Sequence, residues 1–423
     1  MILKNIDKNY LIILFSLSLS AILSFLTNIF LVRYLGPYNY GVFSGCITIA
    51  IFFGSISVLG LDGFLQNVFG YEKNKANRWV PSTYKLIITI ILINIVFLIF
   101  WSFYGPHDSL TKNILIIFSL FMIGHAILDL VKTIYQINGS YLKLSFFQIY
   151  PNLFRFVFIL YLYFFYKSFE LINIVTIYTL INLSIILLSL PILIKFNSKN
   201  FQTLFDKQKN NFKKKINITI HELIKKSKNY IKSKIFFLIY FYMDIILIKY
   251  LIGDLNLGYY NAAYILILGS LLFTDAFLKL YTFRYYYYSK HKPKYFKKIF
   301  DRGNIFLGII SLLIVLFLVL FSNIIINIFF GFEYSNSIKI LIILSLMIPF
   351  RFLFTNLAMA LRTLNYASYE AKNLRNVVLI KFIISIYMII EYGIIGAAIS
   401  AVVCEAILFL MCYYSVKKLI FYN

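Results

Sequence analysis

Apolar runs of about 20 residues follow one another along almost the whole chain, separated by short polar breaks. A helix rises ~1.5 Å per residue, so a run of that length crosses the ~30 Å hydrocarbon layer of a bilayer. Twelve such spans can be drawn: 10–31, 41–61, 83–103, 114–135, 146–165, 171–194, 231–251, 259–281, 303–329, 338–361, 376–390 and 394–415. Composition agrees with them. Hydrophobic residues make up 61% of the 423 and charged residues 13%, too few charges to cover a soluble protein of this size. The spans predict an all-α integral membrane protein.

The longest break, residues 195–230, contains ten lysines opposed only by Asp206 and Glu222. It predicts three parts: a six-helix lobe over 1–194, a basic hinge loop over 195–230 and a second six-helix lobe over 231–423. Lysine-rich segments stay in the cytoplasm, because moving them across the bilayer is disfavoured. With the N-terminus inside, the inner segments carry 28 Lys and Arg, and the outer loops only Arg33, Lys112 and Lys167. Both termini and the hinge are therefore expected in the cytoplasm. The first apolar run lacks a small-residue cleavage site and reads as a retained helix. The net charge of +25 lies in loops on one side, which points to anionic lipid headgroups as partners rather than nucleic acid. Cys46, Cys404 and Cys412 fall inside spans, so no disulfide framework is implied.

The halves repeat. Arg33-Tyr-Leu-Gly36-Pro-Tyr-Asn39-Tyr-Gly41 precedes the second span, and Lys249-Tyr-Leu-Ile-Gly253-Asp-Leu-Asn256-Leu-Gly258 precedes the eighth. With one inserted residue, base, Tyr-Leu, Gly, Asn and Gly align, in residues suited to a tight turn. Asp62-Gly-Phe-Leu echoes Asp275-Ala-Phe-Leu at the inner ends of the same spans. Six spans per half is an even number, so the two lobes share one orientation. Parallel repeats of this kind put a substrate site between lobes that rock about it.

These segments also carry a family likeness. RYLGPYNYGVF (33–43) resembles the R-x-L-G-x-x-x-Y-G signature of polysaccharide-biosynthesis exporters of the multidrug/oligosaccharidyl-lipid/polysaccharide (MOP) superfamily. Asp244 with GDLNLGYYNAAY (253–264), FFGFEY (329–334) and EYGIIGAAIS (391–400) resemble, in order, later junctions of the same family. Within it, twelve spans are similar to the Wzx-type flippases, whereas the related peptidoglycan-precursor flippase usually has fourteen. The resemblance implies a MOP/MATE-like flippase in the bacterial inner membrane. It would move undecaprenyl-diphosphate-linked oligosaccharide repeat units of O-antigen or capsule type by alternating access, alongside polysaccharide polymerase and assembly proteins. Two alternatives stand beside it. A MATE-like drug or cation antiporter would want an acidic cavity. A membrane polymerase or ligase would want a large outer catalytic loop, which these spans leave no room for.

No Walker A loop, dinucleotide glycine fingerprint or HExxH occurs, and the four histidines and three cysteines give no metal set. Neither catalytic residues nor a cofactor are expected. The informative residues are charges inside spans, which are costly to keep there. Arg155, Asp244, Arg351 and Glu405 fall near mid-membrane; Asp129, Lys132, Asp275 and Lys381 fall nearer the cytoplasmic side. Arg155 and Arg351 are candidates to clamp a diphosphate or acidic sugar, with Arg33, Lys132 and Lys381 as further cationic candidates. The bland reading of each mid-depth arginine is an ion pair with Asp244 or Glu405. Asp244, Glu405, Asp129 and Asp275 are candidates for carrying a coupling ion or for balancing those cations. His125, Asp129 and Lys132 share one face of the fourth span, as a cavity-facing stripe or as a local charge-balanced cluster.

Overall fold

The structure, a computed structural model, describes residues 8–165, 170–206, 218–364 and 366–421. Helix is the regular structure among them: α1 (Lys8–Val58), α2 (Leu61–Glu72), α3 (Val80–Tyr104), α4 (Ser109–Ile137), α5 (Tyr141–Phe165), α6 (Leu171–Asp206) and α7 (Ile220–Ile252). After them come α8 (Asp254–His291), α9 (Pro293–Leu320), α10 (Ser322–Phe329), α11 (Asn336–Ser345), α12 (Met347–Thr363) and α13 (Ala367–Val416).

Among the described residues, ten helical stretches are long and apolar enough to cross a bilayer, and two of these are of double length. Ile12–Glu72 has 61 residues and Ser368–Leu419 has 52. A straight helix of the first length would reach about 90 Å, three times the hydrocarbon thickness. Both break at a glycine in a left-handed conformation: Gly36 at φ 69° and Gly393 at φ 59°. With two crossings for each, the ten stretches accommodate the twelve spans expected.

The helices continue past their apolar limits. Residues 195–206 extend α6, and 220–230 begin α7, where the sequence suggested one loop; 207–217 lie outside the described residues. Residues 62–82 contain α2 and the short 3₁₀ helix Lys73–Trp79, and 282–302 are the end of α8 and the start of α9, joined through Lys292. Lysine is a good helix former, so low hydropathy marks where a helix leaves lipid rather than where it stops. A capping box fixes the start of α7: Thr219 N–H donates to Glu222 Oε2 at 3.0 Å, and Glu222 N–H to Thr219 Oγ1 at 3.2 Å. The eleven-residue gap aside, the ninth and tenth expected spans are each two helices. They break at Phe321 and at Leu346, the latter close before Pro349, which has no N–H for the Ser345 carbonyl.

The chain divides into two compact units, Met1–Thr27 with Cys46–Leu238 and Asn28–Gly45 with Ile239–Asn423. In the first, α4 lies at the centre, with Ile114, Leu115, Phe118, Phe121 and Met122 fully buried at helical spacing. Gly124 lets α6 approach, since a Cβ there would lie 2.5 Å from the Asn182 carbonyl oxygen. Along α3 the residues Ile88, Leu92, Ile93, Val96 and Phe100 are exposed, a stripe that hydrocarbon covers without cost.

In the second unit, the repeated segments meet each other. A Cβ on Gly41 would lie 1.8 Å from the Asp254 carbonyl oxygen, and one on Gly258 1.9 Å from that of Pro37. Gly36 and Gly253 share one backbone conformation (φ 69°, ψ 169° and φ 89°, ψ 171°), so the sequence repeat is also a structural one at this junction. Gly331 takes it a third time, at φ 94° and ψ 171°. Three residues on, the buried Tyr334 hydroxyl donates to the Val32 carbonyl at 2.8 Å, and burial pushes its pKa far up, so it remains a donor.

Candidate functional site

Arg155 is held by a chain of contacts that begins at Gly124. Because α6 can press against α4 there, the Asn182 amide donates to the Phe121 carbonyl at 2.9 Å. That leaves Asn182 Oδ1 facing α5, where it accepts from the Arg155 guanidinium at 3.1 Å. The guanidinium carbon lies 4.8 Å from the Tyr178 ring centroid and 5.4 Å from that of Phe121. Two aromatic rings and one neutral amide thus position the cation. Arg155 forms no ion pair within 4.0 Å among the described residues, and its Nε is buried without a hydrogen-bond partner. A planar guanidinium held from its faces keeps N–H groups on its edge for an anion.

One turn along α4 from Phe121, His125 lies 3.3 Å from Ser55 Oγ and stacks near Phe121, while farther along Lys132 pairs loosely with Asp129 at 3.6 Å. Lys132 and Asp129 side chains keep 25% and 26% of their surface, so this pair is within reach of solvent or ligand. The shared face expected for His125, Asp129 and Lys132 is present.

The second unit compensates its charges. Gly393 turns the chain back inside α13, so residues before and after it become neighbours: Ser385 Oγ donates to Ser400 Oγ at 3.2 Å. Lys381 pairs with Asp244 of α7 at 2.8 Å and also donates to the Tyr240 carbonyl at 2.9 Å; Asp244 Oδ1, 3.4 Å from Ser385 Oγ, is the alternative acceptor for that hydroxyl. Arg351, just past the α11–α12 break, donates to Glu405 at 2.9 Å. The Glu405 side chain is only 5% exposed, and its second oxygen has no hydrogen-bond partner among the described residues. Among the described residues of this unit, each buried cation has its carboxylate.

The structure therefore separates the arginines that sequence had grouped: Arg351 has Glu405, and Arg155 has an amide and two rings. Lys381, expected nearer the inner face than Asp244, is its direct partner. Arg33 is exposed, 3.5 Å from the Ile328 carbonyl oxygen. The side chain of Asp275 lies outside those described. Asn182, Tyr178, Tyr240 and Ser385 were missed because they are uncharged; an asparagine amid the run LINLS was the one available signal. Among the described residues no three His, Cys, Asp or Glu side chains group as metal ligands.

A multi-span helical chain with glycine-broken double spans and charges buried at depth has the architecture of a membrane transporter. The family model described as polysaccharide biosynthesis protein matches residues 6–277, more than half the chain, and the chain belongs to that family. Its fold is that of MOP-superfamily transporters. It is similar to the lipid II flippase MurJ in an inward closed conformation, with TM-score 0.72 and 18% identity over 96% of this chain and 87% of that one. It is also similar to an inward-facing multidrug resistance MATE transporter, with TM-score 0.70 and 12% identity over 98% of both chains. A MOP-superfamily transporter from Pyrococcus furiosus, described as having a binding pocket of reverse polarity, matches at TM-score 0.58 and 12% identity over 99% of both chains. No curated protein matches the chain.

Proposed function

We propose that this protein is a flippase that carries polyprenyl-diphosphate-linked oligosaccharide repeat units, of O-antigen or capsule type, across the bacterial inner membrane by alternating access. Arg155 is the observation that carries the reading: a desolvated cation, fixed by Tyr178, Phe121 and Asn182, without a carboxylate partner among the described residues. Diphosphate needs fixed positive charge where water is excluded, and family membership supplies the saccharide. Lys132 is a second cation on the same unit. Asp244 and Glu405 serve as counter-charges to Lys381 and Arg351, which disfavours the cation antiporter; the MATE-like fold is what favours it. Cells lacking the protein should accumulate lipid-linked repeat unit on the inner face of the membrane, and the gene in trans should clear it. Normal surface polysaccharide in the deletion strain would refute the reading.

In the proposed orientation both termini and the basic segment are cytoplasmic. Cys46, Cys404 and Cys412 are buried, so an introduced cysteine is read on a low background. A cysteine at the exposed Lys228 should resist an impermeant thiol reagent in intact cells, and one at the exposed Glu391 should react. The opposite pattern would invert the topology.

A further inference from the structure

The first unit has a groove of about 360 Å³ between α4, α5 and α6, far from Arg155 along the helices. Its position follows from one turn. Gly139, at φ 66°, ends α4, and Ser140 N–H reaches back to the Tyr135 carbonyl at 2.9 Å. That six-residue closure is a Schellman-type cap, and it brings the first turn of α5 beside the last turn of α4. Lys143 consequently stands near Tyr135, its ammonium 6.0 Å from the ring centroid. The other walls are Leu142, Phe146, Phe147, Leu188 and Ile192. Leu142, Phe146 and Leu188 are all exposed large apolar residues on helices that cross the bilayer.

We propose that this groove binds one acidic phospholipid of the surrounding leaflet, its acyl chain between α5 and α6 and its phosphate on Lys143. Water does not fill a space walled by hydrocarbon, and the neighbouring lipid chains are the material at hand. The mouth selects the headgroup. Lys143 is exposed, forms no ion pair within 4.0 Å among the described residues, and stands in the first turn of α5, whose free amide ends favour negative charge. An apolar slot with one cation, Lys143, among its described lining residues matches a chain with a phosphate at its end. The site is independent of which solute the protein transports.

The test uses the full-length protein with Leu188→Trp as reporter, reconstituted with phospholipids carrying brominated chains, and the signal of the same protein without the reporter is subtracted. Brominated phosphatidylglycerol should quench at about five-fold lower lipid fraction than brominated phosphatidylcholine, the preference one lysine gives near a membrane surface. Lys143→Gln should equalise the two lipids, and Lys143→Arg should retain the preference, which separates headgroup selection from loss of folding. Equal quenching in the Lys143 protein, or a preference that survives Lys143→Gln, would overturn the site. Displacement of phosphatidylglycerol by stoichiometric polyprenyl diphosphate would also overturn it, by giving the groove to the transported lipid.

Discussion

Gly41→Ala and Gly258→Ala should each leave little folded protein. The added Cβ would meet a carbonyl oxygen at 1.8 Å and 1.9 Å respectively, and both obstacles are backbone rather than a side chain that could rotate away. Relief requires the two helices to move apart. That would break the bond from the Asn261 amide to Ser44 Oγ, now 2.8 Å, and would open contacts that helices in lipid make mainly through close packing. Overfilling an ordinary core costs about 1–3 kcal/mol, and a clash with fixed backbone stands at or above the top of that range. Gly308 in α9 is the control, because nothing lies within 4 Å of its Cβ position. Gly308→Ala should be neutral or stabilise by about 0.5–1 kcal/mol through helix propensity. Size-exclusion profiles and melting temperatures in detergent read all three. Wild-type melting of Gly41→Ala would mean the approach of α1 and α8 is looser than described.

Arg351→Gln should also lose folded protein, for a different reason. It strips the partner from Glu405, whose second oxygen already lacks one and whose side chain is 5% exposed. Removing one member of a buried ion pair costs about 3–5 kcal/mol, because the remaining charge is left without compensation. Replacing both members costs far less, so Arg351→Gln with Glu405→Gln should recover most of the folded yield. Asp244→Asn should not rescue it, since Asp244 belongs to Lys381 at 2.8 Å. A functional arginine would behave otherwise: single and double variants would fold equally well and both fail to transport.

The helical class and the spans were legible because lipid demands long apolar runs. The junctions at Gly36, Gly253 and Gly331 were legible too, because a turn at φ near 69–94° admits glycine with little strain, and these glycines mark it in the sequence. What stayed hidden depends on distance or on uncharged groups. Arg351 and Glu405 are 54 residues apart, and choosing Glu405 over Asp244 needs the turn at Gly393. The Arg155 setting depends on Gly124, a glycine without a local signature, and on Asn182, which hydropathy alone does not single out. Helix over 195–206 and 220–230 was hidden because hydropathy reports contact with lipid, while lysine-rich helices continue into water.

Arg155 is where the functional account is most exposed. Vesicles containing the protein and a polyprenyl-diphosphate oligosaccharide in both leaflets can be opened to an impermeant glycosidase from outside only. Wild-type protein should let the enzyme consume nearly all of the oligosaccharide. A charge-assisted contact contributes roughly 1.5–3 kcal/mol, so Arg155→Gln should slow this by about ten-fold or more, and Arg155→Lys should recover part of the rate. Consumption that stops at half in wild-type vesicles, as it does in protein-free ones, would contradict the flippase.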